Sequence, residues 1–341
     1  MINQAKAIQA FLLSHIEAHP SDIVVSTMRK FNVSRTTVRR HLGYLIADNK
    51  VIMSGTTRQV RYYLASDFDR TIHVDIKKST DEFQIWKRYF DAMVLALSRT
   101  STYDICEYAF TKMVNNAIDH SQGKNIWITS ALADDRIKFI IKDDGLGAFY
   151  TLGKVLGIDD YREIILELTK GKLTRDASNH AGEGIFFTSK SVDLFEIKAN
   201  GYHYLCDNDV DDWFLSKNDG VCKGTEIIFE IALSSVKTLV STFQAFQDIE
   251  TLDFDRTHIR VDLAKLGRDS LISRSEAKRI LRNLQGKFNH IMLDFSRIRI
   301  VGQGFVDEVF RVFTLQHPEI KIDYCNANED VDFMIKRNLN N

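Results

Sequence analysis

The sequence is poor in cysteine and lacks long apolar runs. It contains four scattered cysteines, Cys106, Cys206, Cys222 and Cys325, and no CxxC pair. This scatter argues against a zinc motif and against a disulfide framework, and it fits a reducing cytoplasm. No run of about 18 apolar residues is present, so we expect no membrane-spanning helix. Residues 1–20 predict an amphipathic helix rather than a signal peptide, because their apolar residues are interrupted.

The net charge of −1 hides an uneven distribution. Residues 1–65 contain nine lysines and arginines but three acidic residues, so this segment carries +6 and the remainder carries −7. A basic segment on an otherwise acidic chain predicts a polyanionic partner for that segment alone. The content of 44% hydrophobic and 27% charged residues is that of an ordinary globular protein.

Residues 1–65 have the pattern of three helices followed by a β-hairpin. Ser34 is a typical N-cap residue, and the periodicity after it predicts a helix from Arg35 to about Ala47. Two alternating strands around the tip SGTTRQ predict the hairpin. The expected inward face of the third helix consists of Val38, Leu42, Leu45 and Ile46.

The stretch FNVSRTTVRRHLGYLIADNKVIMSG in this segment resembles the recognition helix and wing of bacterial winged-helix repressors. The resemblance implies a helix that enters the major groove of double-stranded DNA and a wing that reaches phosphates. The alternative is a winged helix that binds protein and has a basic, solvated surface. The expected DNA contacts are Arg35, Thr36, Thr37, Arg39, Arg40, Arg58 and Arg61.

Four short motifs follow between residues 81 and 232, and each is weak by itself. A predicted helix over residues 101–121 carries polar residues at intervals of four, which places them on one stripe. A DxGxG motif ends a predicted strand, a GxG motif precedes a helix, and a GT pair begins another strand. In chain order the motif residues are Lys112, Asn116 and His120; Asp143, Gly145 and Gly147; Gly182 and Gly184; and Gly224 and Thr225.

Taken together in this order, the motifs resemble the GHKL superfamily of ATP-binding proteins, which includes sensor histidine kinases. The resemblance implies that Asn116 coordinates Mg²⁺ through its side-chain oxygen. It also implies that Asp143 accepts a hydrogen bond from the adenine amino group, with Thr225 beside it. An asparagine is a poor helix former, so a ligand role explains its place in the middle of a helix.

The resemblance also assigns the remaining motif residues. His120 would lie near the adenine or ribose, and Gly145 and Gly147 would let the backbone pass close to the base. Gly182 and Gly184 would present N–H groups to the phosphates at a helix N-terminus. Residues 148–181 would form a lid, whose basic residues either reach the phosphates or lie on a solvated surface. Those basic residues are Lys170, Lys172 and Arg175.

The sequence departs from the ATP-hydrolysing members of that superfamily at Lys112. Those members have a glutamate four residues before the asparagine, where a carboxylate acts as general base. A protonated ammonium cannot take this role, and Glu107 lies nine residues before Asn116 on another helix face. We therefore predict that the chain binds ATP and Mg²⁺ with weak or no hydrolysis.

Residues 255–341 alternate between predicted strands and helices, which favours a small α/β domain with a parallel sheet. The stretches RSEAKRIL, LDFSRIRIVGQGFVDEVFR and YCNANEDVDFMIKR resemble STAS-like domains fused behind GHKL modules. Residues 301–305 occupy the loop of the phosphorylated serine in STAS antagonists and contain no hydroxyl, so we expect a docking or dimerisation role. A polar network or a charge-paired surface is expected from Arg274, Asp294, Asp307, Glu308 and Arg311.

The expected fold is a multidomain α+β chain. It comprises a winged helix over residues 1–65, a linker over 66–80, a GHKL (Bergerat) α/β sandwich with a mixed sheet over 81–235, and a STAS-like α/β domain over 255–341. The expected function is a cytoplasmic, nucleotide-responsive transcriptional regulator that binds DNA as a homodimer, without membrane association. The alternative is a GHKL-type protein kinase or ATPase, resembling anti-sigma-factor kinases, that docks partners through its terminal domains.

Overall fold

The structure is a computed structural model of the chain. It describes residues 2–48, 50–54, 60–173, 182–217, 220, 223–247, 253–265 and 271–339. Helices come first, then an antiparallel sheet covered by helices, then a small parallel sheet with helices. The predicted multidomain α+β class is confirmed.

The N-terminal segment consists of three helices and a hairpin with a separate hydrophobic core. The helices are α1 (Ile2–His15), α2 (Ile23–Phe31) and α3 (Arg35–Ala47). The antiparallel hairpin strands are β1 (Val51–Ser54) and β2 (Arg61–Leu64). This is the element order that the sequence predicts.

Helix α3 begins and packs as predicted. The Ser34 hydroxyl accepts a hydrogen bond from the Thr37 backbone N–H at 3.2 Å and so caps the helix. The chain turns before it at Asn32, whose φ of 51° lies in the left-handed region. The inward face has Val38, Leu42 and Leu45 buried and Ile46 partly buried.

The middle of the chain forms a seven-stranded sheet. Its strands are β3 (Arg70–Asp75), β4 (Asn125–Ala133), β5 (Arg136–Asp143), β6 (Leu194–Ala199), β7 (Tyr202–Asp207), β8 (Asp212–Lys217) and β9 (Thr225–Ala232). The strand order is β3-β4-β5-β9-β6-β7-β8, and every pairing among these described strands is antiparallel.

The mixed sheet expected for this part of the chain is therefore wrong. Strands β5 and β6 run in the same direction, because a helical crossover connects them. They do not pair with each other, since β9 lies between them and is antiparallel to both. Because β9 is inserted between these two strands, the sheet contains only antiparallel pairs among the described strands.

The linker predicted over residues 66–80 is also wrong in its central part. Strand β3 pairs with β4 along its whole length, from Arg70 opposite Ser130 to Asp75 opposite Asn125. Its residues alternate between partly buried and exposed, as in an edge strand with one solvated face. A short polar strand of this kind is held by backbone hydrogen bonds at the sheet edge and lacks a strong apolar signal.

Helices cover one face of this sheet. The longest of them, α6, contacts β5 and β9 in the centre of the sheet. The helix predicted over residues 81–97 is interrupted at Phe90, which ends one helix and precedes the next. The helices are α4 (Glu82–Tyr89), α5 (Asp91–Leu97), α6 (Thr100–His120), α7 (Ala148–Leu156), α8 (Tyr161–Lys170), α9 (Glu183–Ser191) and α10 (Leu239–Gln244).

The C-terminal segment contains the predicted parallel sheet. Its strands β10 (Arg256–Arg260), β11 (His290–Asp294) and β12 (Lys321–Cys325) pair in that order. The Ser273 hydroxyl and the Glu276 carboxylate form a capping box at the first helix of this segment. The helices are α11 (Arg274–Leu281), α12 (Gln303–Asp307), which continues as a π-helical turn (Glu308–Phe313) into α13 (Thr314–Gln316), and α14 (Glu329–Leu339).

The polar residues expected around the loop of residues 301–305 form ion pairs in which the carboxylates are largely buried and the basic partners are exposed. Asp307 accepts a hydrogen bond from Arg274 at 2.8 Å and another from Arg311. Lys278 lies 3.8 Å from Glu308. Asp294 belongs to a different cluster, in which it faces His258. Of the two expected arrangements, a polar network or a charge-paired surface, the second applies to Asp307 and Glu308.

One hydrophobic core extends through the middle and C-terminal segments, from Phe68 to Ile335. Lys170, at the end of α8, is 1% exposed and lies at the junction. Its ammonium donates to Glu167 Oε1 at 2.6 Å and to the backbone carbonyls of Arg279 and Arg282 at 3.3 and 2.9 Å. A buried ammonium with three acceptors from both segments holds them together.

We expect Lys170→Met to destabilise the shared core by about 3–5 kcal/mol, because it leaves the buried Glu167 carboxylate without its cation. Urea denaturation followed by tryptophan fluorescence measures the change. The matched control is Lys154→Met, which removes an exposed ammonium on α7 and is expected to change stability by less than about 0.5 kcal/mol. Equal unfolding midpoints for the two variants would contradict the structural role of Lys170.

Candidate functional site

The alternation of β5 places Asp143 on the helix-covered face of the sheet. Ile137, Phe139, Ile141 and Asp143 are buried in alternation along this strand. Alternate side chains of a strand point to the same face, so Asp143 lies on the face that buries the three apolar residues, at the end of the strand. Asp143 is 5% exposed.

Backbone groups from two separate segments fix the Asp143 carboxylate. Its Oδ1 accepts hydrogen bonds from the backbone N–H of Gly145 at 2.8 Å and of Thr225 at 3.3 Å. A Cβ at Gly224 would lie 2.0 Å from the Asp143 carbonyl oxygen, so only glycine allows this approach. Burial raises the pKa of the Asp143 carboxyl, although these two hydrogen bonds act to lower it.

The stripe of polar residues on α6 faces the same space as Asp143. Lys112, Asn116 and His120 line a cavity of about 830 Å³, together with Asp143 and Thr225. The Nδ2 atom of Asn116 is buried and has no hydrogen-bond partner. Its neighbour Asn115 also lines the cavity, but it donates to Asp119, another lining residue, at 3.0 Å. An unpartnered buried amide is uncommon in a folded protein and points to a ligand group.

The cavity joins a polar wall to an apolar floor. Carboxylate, amide and imidazole groups of the predicted stripe and strand ends form the polar part. Aliphatic side chains from α6, α7 and the sheet form the floor, and aromatic side chains close one side. The residues outside the predicted set include Tyr108, Met113, Ala117, Ile141, Ala148, Leu152, Glu183, Ile185, Phe187, Ile227, Phe243 and Phe254.

The predicted glycines fall into two groups. Gly182 and Gly184 line the cavity, and a Cβ at Gly184 would lie 3.5 Å from Lys112 Cδ, so α9 begins close against α6. Gly145 and Gly147 do not line it in the described part of the chain. A Cβ at Gly145 would lie 2.0 Å from the Ser121 carbonyl oxygen, and one at Gly147 would lie 2.4 Å from Asn200 Oδ1. These two glycines permit close packing within the protein.

Lys170 and Lys172, the two described residues of the basic set expected on the lid, do not line the cavity. The Lys170 ammonium is buried against Glu167 and the C-terminal segment, so neither expected alternative, phosphate contact or a solvated surface, describes it. The Lys172 ammonium lies 5.2 Å from the centre of the Phe254 ring. Arg175 lies outside the described residues. The described part of the lid consists of α7 and the well-packed α8, so it is a folded layer.

Lys112 lies four residues before Asn116, at the position where a glutamate would act as general base. Its side chain is exposed, and its ammonium lies 5.9 Å from the centre of the Tyr108 ring. Burial, followed by the charge of Glu183, raises the pKa of the Tyr108 hydroxyl. Glu107 accepts a hydrogen bond from the Tyr103 hydroxyl at 3.2 Å and does not line the cavity. Glu107 is therefore no substitute base.

Sequence reasoning missed Tyr108, Glu183 and the aromatic wall of the cavity. Glu183 stands between the two predicted glycines, so the GxG motif itself could have indicated it. Tyr108 lies four residues before Lys112 and extends the predicted stripe by one turn. Phe243 and Phe254 come from the segment that connects the two sheets, and their contribution depends on the tertiary fold.

The N-terminal candidates form a separate group on α3 and the hairpin. Arg35, Thr36, Arg39 and Arg40 are exposed on α3, and Arg61 is exposed at the start of β2. The Thr37 hydroxyl lies 2.9 Å from Ser34 Oγ, within the cap of the helix. Arg58 lies outside the described residues.

The comparisons find a likeness for the C-terminal segment. A family model described as "STAS-like domain of unknown function (DUF4325)" matches residues 276–332, so this part of the chain is similar to STAS-like domains. The solved structures similar to the chain include the 43K ATPase domain of Thermus thermophilus gyrase B in complex with an aminocoumarin. That likeness has 15% identity and a TM-score of 0.25, and it covers 41% of this chain and 38% of the gyrase chain. A search of curated proteins gave no match.

The gyrase likeness is too weak to define the fold of the middle segment.

Among the described residues, none of the helices combines the length and the apolar character that crossing a lipid bilayer requires.

We expect Asn116→Ala to leave the folding stability unchanged or to raise it by about 0.5 kcal/mol. The substitution removes an amide whose Nδ2 makes no hydrogen bond, and alanine has the higher helix propensity. Urea denaturation of the ligand-free protein measures the change, with Asn115→Ala as the neighbouring control. A loss of more than about 1 kcal/mol in Asn116→Ala alone would show that the amide has a structural role.

Proposed function

We propose that the chain is a cytoplasmic, nucleotide-responsive transcriptional regulator that binds ATP and Mg²⁺ in the cavity beneath α6 and binds DNA as a homodimer. The unpartnered amide of Asn116 carries this proposal. The amide and the buried Asp143 carboxylate come from distant segments and line the same cavity. This combination matches the GHKL resemblance of the sequence, with a helix-borne asparagine and a strand-end aspartate.

The residues present fit a magnesium nucleotide. The Asn116 side chain supplies an amide oxygen, a ligand type that Mg²⁺ accepts together with phosphate oxygens. The Asp143 carboxylate would accept a hydrogen bond from the adenine amino group, with Thr225 beside it. Gly182 and Gly184 stand at the N-terminus of α9, where backbone N–H groups favour phosphate. When bound, Mg²⁺ neutralises phosphate charge.

Lys112 makes the site better suited to binding than to hydrolysis. Its ammonium is only a hydrogen-bond donor, so it pairs with phosphate and does not activate water. The proposed role of the nucleotide is therefore to stabilise one conformation of the protein. It does so only through a difference in affinity between conformations.

The contacts between the cavity and the C-terminal segment provide a route for such a response. Phe254 lines the cavity and stands just before β10. The Lys287 ammonium donates to the carbonyls of Lys172 and Leu173 at 3.0 and 2.8 Å, and the Thr257 hydroxyl donates to the Lys170 carbonyl at 2.8 Å. Residues 170–173, which lead toward Gly182, are thus attached to the parallel sheet.

The N-terminal segment is the proposed DNA-binding part, in the manner of a winged helix. Its third helix presents Arg35, Thr36, Arg39 and Arg40 to solvent, and the hairpin presents Arg61. Arginine and threonine on an exposed helix suit contacts to base edges in the major groove. Two copies in a homodimer would place two such helices on one duplex.

A GHKL-type protein kinase or ATPase, with the terminal segments as docking modules, is the second candidate. The acidic side chain of Glu183 favours it, because this carboxylate lines the cavity near the start of α9. A carboxylate in that place could act as general base in the absence of a glutamate at position 112.

Isothermal calorimetry with Mg–ATP tests the nucleotide site. We expect binding by the unaltered protein and at least a tenfold loss of affinity in Asn116→Ala and in Asp143→Asn, because a hydrogen bond involving a charged group contributes about 1.5–3 kcal/mol. Asn115→Ala is the neighbouring comparison: this residue also lines the cavity, but its amide is already bonded to Asp119, so its removal should reduce the affinity less than Asn116→Ala does. Absence of heat from the unaltered protein, or equal affinities of Asn115→Ala and Asn116→Ala, would contradict the proposal.

Titration of a mixed-sequence DNA duplex at several salt concentrations, with and without Mg–ATP, tests the regulator. We expect nucleotide to change the affinity. A mixed-sequence duplex offers no specific site, so the arginines of α3 are expected to contact its phosphates. The double variant Arg39→Ala/Arg40→Ala should therefore weaken binding and reduce the salt slope by roughly 2, since each phosphate contact contributes about 0.9. Lys77→Ala/Lys78→Ala, at an exposed turn of the middle segment, is the charge-matched control. Rapid phosphate release that Glu183→Gln abolishes, without any effect of nucleotide on DNA affinity, would favour the kinase or ATPase.

A further inference from the structure

Three potential metal ligands meet on the parallel sheet of the C-terminal segment. His258 comes from β10, Asp294 ends β11 and Cys325 ends β12. One imidazole nitrogen, one carboxylate oxygen and the thiol sulfur all lie within 4.8 Å of one another. None of the three lines the cavity beneath α6, so this cluster is independent of the proposed nucleotide site.

The distances within the cluster suit a tetrahedral ion. Two protein ligands bound to one zinc ion at 2.0–2.3 Å lie roughly 3.3–3.7 Å apart in tetrahedral geometry. His258 Nε2 is 3.4 Å from Asp294 Oδ2 and 3.8 Å from Cys325 Sγ. Small side-chain adjustments would therefore bring the three atoms to ligand distances.

The two oxygens of Asp294 are used differently. Oδ1 accepts hydrogen bonds from Ser296 N at 2.8 Å, Ser296 Oγ at 2.6 Å and Asn326 Nδ2 at 3.1 Å. Oδ2 is buried and makes no hydrogen bond of good geometry, although the residue is only 1% exposed. Neighbours that fix one oxygen and leave the other facing a histidine and a cysteine are typical of a ligand set with supporting contacts.

The charge of the cluster is also suitable. The Asp294 carboxylate is buried beside the Cys325 thiol and the His258 imidazole. A zinc ion that displaces the thiol proton would compensate the negative charge of the carboxylate and the thiolate.

The competing explanation is an ion pair without metal. Arg260 Nε lies 3.8 Å from Asp294 Oδ2 and 3.7 Å from Asp262 Oδ1, so a cation is already near. Among the described residues, only the Nη1 atom of Arg260 makes hydrogen bonds of good geometry, to the carbonyl and carboxylate of Asp211 at 2.9 and 3.2 Å, and its Nε forms none with Asp294. An imidazole–carboxylate pair also gives no reason for the thiol to lie beside it.

We propose that His258, Asp294 and Cys325 bind one zinc ion on the parallel sheet, toward the C-terminal ends of its three strands. A nitrogen, an oxygen and a sulfur ligand form a set that zinc accepts, with the fourth tetrahedral position left to water. The His258 side chain is 41% exposed, so that position faces solvent. Zinc would tie together the three parallel strands that form the centre of the STAS-like segment.

Metal binding by the full-length protein tests the proposal. The protein is stripped with chelator, titrated with Zn²⁺ against a chromophoric competitor, and separately titrated with Co²⁺ as a spectroscopic probe. We expect about one zinc ion per chain, and with cobalt a thiolate-to-metal charge-transfer band together with tetrahedral d–d bands. Cys325→Ser should remove the charge-transfer band and weaken zinc binding by at least a hundredfold, and Ser296→Ala should weaken it by roughly tenfold.

Two control variants separate this site from other ligands. Cys206→Ser removes a buried thiol of the seven-stranded sheet, and His290→Gln removes an imidazole that pairs with Asp323 at 2.8 Å on the same parallel sheet. Both should bind zinc as the unaltered protein does. Circular dichroism of the metal-free variants checks their folding. Failure of the unaltered protein to bind zinc, or persistence of the charge-transfer band in Cys325→Ser, would overturn the proposal.

Discussion

The pairing of the buried Lys170 ammonium constrains how the larger part of this chain is assembled. An ammonium removed from water is stable only when its donors are satisfied. Here the acceptors come from Glu167 on the same helix and from two carbonyls of the C-terminal segment. The antiparallel and parallel sheets consequently share one core, whereas the N-terminal segment keeps a core of its own.

This junction also brings the C-terminal segment to the cavity. Gly171, directly after Lys170, has a φ of 104°, and a Cβ there would lie 2.5 Å from the Phe254 ring. The chain can pass the aromatic ring only because this residue has no side chain. Phe254 in turn lines the cavity, so the segment that connects the two sheets contributes to its wall.

Both candidate sites use an aspartate at the end of a strand. Asp143 and Asp294 each accept, through Oδ1, a hydrogen bond from the backbone N–H two residues later. The outcomes differ, because burial prevails at Asp143 and raises its pKa, whereas hydrogen bonds prevail at Asp294 and lower it.

Local patterns in the sequence determined α3 with its Ser34 cap, the polar stripe of α6 and the parallel C-terminal sheet, because capping and periodicity act between near neighbours in the chain. The sequence did not reveal that β9 separates β5 from β6, that residues 70–75 form an edge strand, or that Lys170 is buried. It also indicated no zinc site, since Cys325 has no nearby cysteine in the chain and its two companions lie on other strands. Strand order and the meeting of distant side chains depend on how the sheets and helices pack, and no short window of residues contains that information.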